Sequence, residues 1–241
     1  VSTSIAARRE IVLSAGAIGS PAILMRSGIG DPDELARHGI RVSHALPGVG
    51  RNLQDHMGLG IQVESRHTGF YGLSVRALPR HAWSVIEYAL FRRGMFASNV
   101  VESCGFLRTT SGLDRPDIQY GFMPARRGEG PRLVGIGHGY GLVTILLHPK
   151  SRGRVSLASA DPAAMPCIDL NAFAEPEDMA HFLAGYKISR RILQAPAFKR
   201  YAVRELRPGS EVQSDEALEA YVRSTAGTIY HPVGTCRMGS D

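Results

Sequence analysis

The order of apolar and turn-forming residues predicts an α/β chain, α+β overall, and three observations carry that expectation. Residues 8–60 alternate short apolar runs with capped helical stretches. Residues 61–150 hold short apolar runs separated by turn residues, the pattern of a sheet. Residues 151–230 close on two segments with helical spacing. The 241 residues are 44% hydrophobic and 21% charged, which supports a packed core and excludes a disordered tail. That length fits one large domain or two modest ones. The 27 glycines and 14 prolines follow no collagen period and read as turns.

Taken in order, Glu10–Ser14 reads as a short strand ending at Ala15-Gly16. A helix is expected over Ser20–Ser27, with Pro21 in its first turn, where a missing amide costs nothing. Gly28-Ile29-Gly30 breaks it. Asp31 then caps a helix running to about His38, with Asp33 and Glu34 in the first turn and Gly39 as its stop. Val42–Leu46 reads as a strand before the turn Pro47-Gly48-Val49-Gly50.

Further along, Ile61–Glu64, Cys104–Arg108, Asp117–Phe122 and Leu142–Leu147 read as strands. Pro79–Arg93 reads as a helix ended by Gly94, with Trp83, Ile86 and Leu90 on one face. Gly128–Gly141 holds six glycines and reads as a mobile loop. Gly153–Leu157 is an expected strand. A helix is expected over about Glu177–Leu193, with Met179, Phe182, Leu183 and Tyr186 at helical spacing. Another spans about Asp215–Ser224, capped by Ser214, with Leu218, Tyr221 and Val222 inward and Gly227 ending it.

Several chemistries are disfavoured. The formal charge is +6, but the arginines occur at most in pairs such as Arg92-Arg93, Arg126-Arg127 and Arg190-Arg191. No stripe for a nucleic acid forms, and the excess reads as solvated surface. No apolar run approaches the roughly 20 residues that span a bilayer. Cys104, Cys167 and Cys236 form no CxxC pair and fit a reducing compartment. Gly28, Gly48 and Gly135 each start a G-x-G, but Asp33, Leu53 and Tyr140 stand where a dinucleotide fingerprint needs its third glycine. No histidine has a second ligand at metal spacing, so no metal site is expected. His38, His44, His67, His81 and His181 read as solvated or capping, and His148 as structural. His231 stands apart because Pro232 stiffens the backbone beside it and Gly234 and Gly239 allow close approach. An imidazole so held suits general-base work. A Cys236–His231 nucleophile pair lacks an orienting partner.

Four motifs now line up. They are Glu10-Ile-Val-Leu-Ser-Ala-Gly-Ala-Ile-Gly-Ser-Pro21 continuing to Ser27-Gly-Ile-Gly30, and Leu46-Pro-Gly-Val-Gly-Arg-Asn-Leu-Gln-Asp-His56. His148-Pro-Lys-Ser-Arg-Gly-Arg154 with Ser159-Ala-Asp-Pro162 follows, then His231-Pro-Val-Gly-Thr-Cys-Arg-Met-Gly239. In that order they resemble the glucose–methanol–choline family of FAD-dependent oxidoreductases, nearest its choline-dehydrogenase-like alcohol dehydrogenases.

The resemblance implies part of a Rossmann-like FAD-binding domain at 1–60, a sheet-and-helix substrate domain at 61–225, and a return to the FAD domain at 226–241. It implies oxidation of a small alcohol to an aldehyde or ketone, with His231 taking the hydroxyl proton and flavin N5 taking hydride. Ala15, Gly16, Asn52, Asp55, Gly234, Thr235 and Met238 would lie near the FAD. Asn99, Glu102 and Tyr230 would line the substrate cavity, with a solvated Glu102 the rival reading. Oxygen, a quinone or another carrier would take the electrons. Cytoplasmic placement follows, with peripheral contact at the inner face of a membrane left open. The family's amino-terminal G-x-G-x-x-G and its segment after the histidine motif are not in this sequence. It therefore resembles a central-to-C-terminal fragment, expected not to hold FAD alone, and a non-catalytic binding or structural role is the alternative.

Overall fold

The computed structural model describes residues 3–126 and 135–239. In chain order the helices are α1 (Gly16–Arg26), α2 (Pro32–Arg37), α3 (Leu78–Phe91), α4 (Pro176–Leu193), α5 (Pro196–Lys199) and α6 (Asp215–Thr225). The strands are β1 (Ile29–Gly30), β2 (His44–Ala45), β3 (Met57–Ser65), β4 (Ser103–Leu107), β5 (Ile118–Met123), β6 (His138–Leu146), β7 (Arg154–Ser156), β8 (Cys167–Asp169), β9 (Ala202–Arg207) and β10 (Gly227–Thr228). The mixed helix-and-sheet class is as expected. The chain divides into two compact units, one of residues 1–55, 151–174 and 230–241, the other of 56–150 and 175–229.

In the first unit α1 begins at Gly16, four residues before the expected start, so Pro21 sits inside the helix instead of in its first turn. There it removes one internal hydrogen bond, the one that would end on the carbonyl of Ala17. Residues 10–14 form no strand, and Ile11 and Val12 are exposed. An apolar run becomes a strand only beside a hydrogen-bonded neighbour, and none of the described residues supplies one. Asp31 caps α2 as expected, its Oδ1 accepting the Asp33 amide at 3.0 Å. β1 and β2 pair in parallel with α2 as the crossover, so Gly28-Ile29-Gly30 opens a strand and is not only a break. Ala22, Met25, Leu35 and Leu157 form a small core, flanked by Ile40 and Val49.

Residues 151–174, expected with 61–225, belong to this first unit. Leu53 and Gly153 exchange backbone hydrogen bonds at 3.0 and 2.8 Å, the Val155 amide donates to the Gly50 carbonyl at 2.7 Å, and the Leu157 amide donates to Glu34 at 2.8 Å. Gly50 is required: its φ is +82°, and a Cβ would stand 2.2 Å from the Val155 oxygen. β7 pairs with β8 in antiparallel fashion, and no apolar alternation marks β8 beforehand.

The second unit is an antiparallel sheet in the order β10-β3-β6-β5-β4. β9 also pairs with β3, along the end that β10 leaves open. β3 and β6 run longer than expected, from Gly58 opposite Ile145 to Ser65 opposite His138. Gly58, Gly60, Gly139 and Gly141 lie in the added stretches, where no side chain declares a pattern. Part of the expected Gly128–Gly141 loop is therefore strand from His138 onward, while 127–134 lie outside the described residues.

α4 lies on this sheet with Met179, Phe182, Leu183 and Tyr186 buried, as the spacing predicts. The Tyr120 hydroxyl donates to the Gly185 carbonyl at 2.7 Å, and Thr144 and Ser189 share a hydrogen bond at 2.6 Å. Arg190 corrects the solvated-surface reading of the arginine pairs. It is buried, donates to both Glu205 oxygens at 3.0 and 2.7 Å, and donates to the Val212 carbonyl at 2.9 Å. Ser214 caps α6 through the Ala217 amide, while Gly227 opens β10 instead of ending the helix. α3 ends at Arg92 in a left-handed cap, short of Gly94. Trp83, Ile86 and Leu90 do share a face, but they are 57%, 47% and 69% exposed, and only Ser84 of α3 is buried.

Candidate active site

In the first unit the stretch from Tyr230 to Thr235 lies along residues 50–55. Gln54 and Val233 exchange backbone hydrogen bonds, each 2.9 Å. The Gly50 amide donates to the Thr235 carbonyl at 2.9 Å, and Asn52 Nδ2 donates to the Gly234 carbonyl at 3.1 Å. Asp55 Oδ1 accepts the His231 amide at 3.0 Å. The Asn-Leu-Gln-Asp motif thus grips the His-Pro-Val-Gly-Thr motif from both ends.

Local conformation explains the residue types. Asn52 adopts φ +62°, a region asparagine tolerates, and its Oδ1 accepts Arg152 Nε at 3.1 Å. Gly234 has φ +97°, and a Cβ there would stand 2.4 Å from the Asn52 carbonyl oxygen. Tyr230 adopts φ +69°, a costly conformation for a bulky residue that persists only where neighbours impose it. Asp55, on the next amide, is such a neighbour.

Of the expected cofactor-proximal residues, Asn52, Asp55, Gly234 and Thr235 therefore come together around His231. Met238 is almost wholly exposed. Ala15 and Gly16 stand at the start of α1, where the Ala15 amide donates to Ser20 Oγ at 3.1 Å. His231 and Tyr230 are exposed. Thr235 is buried, and its hydroxyl donates to the Ala17 carbonyl. Burial pushes the Cys236 thiol up from its ordinary value, opposite to what a nucleophilic cysteine needs.

The second unit carries Asn99 and Glu102, both exposed. Glu102 Oε1 accepts the Ser98 hydroxyl at 2.5 Å and the Tyr71 hydroxyl at 2.8 Å. These two donors, Ser98 foremost, hold the Glu102 carboxyl below the usual carboxylate range. Desolvation and then the Glu102 carboxylate push the Tyr71 hydroxyl upward. Sequence reasoning missed both donors: Tyr71 is 31 residues away, and no motif marks the pair.

Two more histidines were not visible as partnered. His181, expected to be solvated or capping, lies with Nδ1 3.2 Å from Asp117 Oδ2. His138 is buried between the Phe70 carbonyl at 2.8 Å from Nδ1 and Ser74 Oγ at 2.7 Å from Nε2. A carbonyl can only accept, so Nδ1 donates to it, while Nε2 and the Ser74 hydroxyl share the other hydrogen bond. Among the described residues no cluster of three or more His, Cys, Asp or Glu could hold a metal ion, and no helix is long and apolar enough to cross a membrane.

Comparison with known proteins gives the family. Family profiles described as GMC oxidoreductase match residues 1–58 and 149–241. An alcohol dehydrogenase [acceptor] of Pseudomonas putida is 43% identical over 96% of this chain and 42% of its own length. An oxygen-dependent choline dehydrogenase of Chromohalobacter salexigens is 41% identical over 97% of this chain and 42% of its own. The chain thus spans less than half the length of the curated relatives it matches. A formate oxidase structure from Aspergillus oryzae, reported in a study of FAD modification, superposes with a TM-score of 0.84 at 28% identity, covering 96% of this chain and 45% of that one. The two profile matches contain both partners of the clamp, residues 50–55 and 230–235, and the chain belongs to the GMC oxidoreductase family.

Proposed function

We propose that this chain is part of an FAD-dependent oxidoreductase that converts an alcohol to an aldehyde or ketone, with His231 as the base that takes the hydroxyl proton. The observation that carries the reading is the clamp of residues 50–55 on an exposed histidine, His231, whose backbone is held by Asp55 and whose flank is held by Asn52 and Gly50. A general base needs this kind of fixed placement, because proton transfer requires hydrogen-bond reach to the substrate hydroxyl. The P. putida and C. salexigens relatives, named for alcohol and choline dehydrogenation, support the reaction class.

The residues present fit an FAD. The first turn of α1 holds no acidic residue, no side chain caps it, and Gly16 at φ +75° has open space where a Cβ would stand. Exposed helix amides of this kind suit an anionic or electron-rich group. Ala15, Gly16, Asn52, Asp55, Gly234, Thr235 and Met238 are the residues we assign to its surroundings, with the first unit as the cofactor part and the second as the substrate part. When bound, the flavin supplies a two-electron acceptor for the hydride that leaves the carbinol carbon. His231 meanwhile accepts the hydroxyl proton, which builds alkoxide character and lowers the cost of hydride departure. Tyr230, next to His231 in the first unit, and Asn99 and Glu102 in the second are each assigned to substrate contact. Oxygen or a quinone-type carrier reoxidises the enzyme, and comparing oxygen with an artificial dye separates the two.

The test is His231→Ala in the complete enzyme. Flavin stays bound, and the rate of flavin reduction by alcohol in stopped flow falls by about 10²–10⁴-fold. A near-normal rate removes His231 from the mechanism.

A further inference from the structure

We infer that Thr235 is a positioning residue for His231, acting through a carbonyl that Pro21 leaves open in α1. Pro21 is the sixth residue of the eleven-residue helix. An amide at that position would donate to the carbonyl four residues earlier, that of Ala17, and proline has no amide. The Ala17 carbonyl is therefore released by sequence, and the Thr235 hydroxyl donates to it. Thr235 is 1% exposed and Ala17 is half-buried, so the hydroxyl meets the freed acceptor from the buried side, where an unmet polar group is costly.

The hydrogen bond matters to the histidine because little slack separates them. The Thr235 carbonyl accepts the Gly50 amide, Gly234 is gripped by Asn52, Val233 is bridged to Gln54, and the His231 amide ends on Asp55. Every one of these ties except that from Thr235 to Ala17 runs to residues 50–55. The Thr235 hydroxyl alone in this set fixes the histidine strand to α1, the helix whose first turn we assign to the cofactor. It thereby sets where His231 stands relative to that turn, and it does so without touching substrate. This also gives Pro21 a role: the helix gives up one internal bond, and a residue 214 positions away takes the freed acceptor.

The inference rests on the reading of His231 as the base, and the experiment separates the two. In the complete flavoenzyme, Thr235→Val keeps the shape and removes the donor, while Thr235→Ser keeps the donor. Flavin content, the limiting rate of flavin reduction, KM for the alcohol and thermal midpoint are measured for both, for Pro21→Ala, and for the Pro21→Ala/Thr235→Val pair. Thr235→Val retains flavin, loses about 10- to 100-fold in reduction rate, and keeps KM within about threefold, since misplacement by about an ångström acts on the transition state. Thr235→Ser returns to within about threefold of the parent rate. Pro21→Ala restores the helical amide to Ala17, so the loss of thermal midpoint caused by Thr235→Val falls by about half or more in that background. Additive midpoint losses overturn the hydrogen-bond role, and this readout holds even if Thr235→Val proves inactive. A parental reduction rate in Thr235→Val, with His231→Ala still impaired, overturns the positioning role and leaves the base in place. A parental rate in His231→Ala overturns both.

Discussion

Glu102 shows what two hydroxyls do to one exposed carboxylate. Ser98 and Tyr71 both donate to its Oε1, which favours the ionised form and moves its titration to lower pH than usual. A depressed carboxyl keeps its charge above the ordinary pKa and loses it only as pH falls through the lowered one. If Glu102 faces the substrate, that charge attracts an amino alcohol and is indifferent to a neutral alkanol. In the complete enzyme, KM for a cationic alcohol then stays level on acidification until below the ordinary carboxylate range. Ser98→Ala removes the larger of the two effects, so the rise in KM begins at a higher pH, while KM for a neutral alkanol of the same length does not follow. An unchanged profile in Ser98→Ala would place Glu102 away from the bound substrate. Among other residues, Arg190 was misread from sequence because a charged pair looks like surface; its burial follows from Glu205, which arrives on a strand, β9, that no apolar alternation announces.

Among the elements, legibility tracked how much of the pattern is written in side chains. α4 and α6 were readable because Met179, Phe182 and Tyr186, and Leu218 and Val222, repeat at helical spacing and are buried. β3 and β6 were read short, since glycines carry no pattern, and β8, β9 and β10 were not read at all, being polar, short or split by neighbours. In the candidate site, His231 was visible from Pro232 and the glycines around it. The clamp was not, because it depends on bonds between residues about 180 positions apart. α3 is the instructive case: its amphipathic stripe was read correctly, and its direction could not be, because periodicity reports a face and not what lies against it. Its burial yields a test in the chain itself. Replacing Ile86 and Leu90 together by lysine shifts stability by less than about 0.5 kcal/mol per site, the scale of surface changes, whereas Ser84→Lys costs about 2 kcal/mol or more. Urea midpoints that rank the other way would mean that the apolar face of α3 is the packed one.

At the scale of the whole molecule, the two units are held by cores of different size. The second has a sheet whose Ile61, Ile118, Tyr140 and Leu142 are buried, and an overlying helix that adds Phe182 and Tyr186. The first gathers three separate stretches of chain around a small core of Ala22, Met25, Leu35 and Leu157, buries Leu53, Val155 and Phe173 beside it, and joins its loops by hydrogen bonds. Apolar burial is the dominant stabilising contribution, so a small core with many loop-to-loop bonds opens at lower free energy than a broad sheet under a helix. Each stretch of the first unit must also find partners far along the chain, which adds loop-closure entropy that few apolar contacts offset. Amide hydrogen exchange on the 241-residue chain should therefore rank the units. Amides of β3, β5 and β6 exchange slowest, while those of Gly50, Gln54 and Val233, the backbone of the clamp, exchange faster by at least about tenfold, the equivalent of about 1.4 kcal/mol in opening free energy. Equal protection across both sets would mean that the clamp is as stable as the sheet, and that His231 is held by more than the small core and the hydrogen bonds around it.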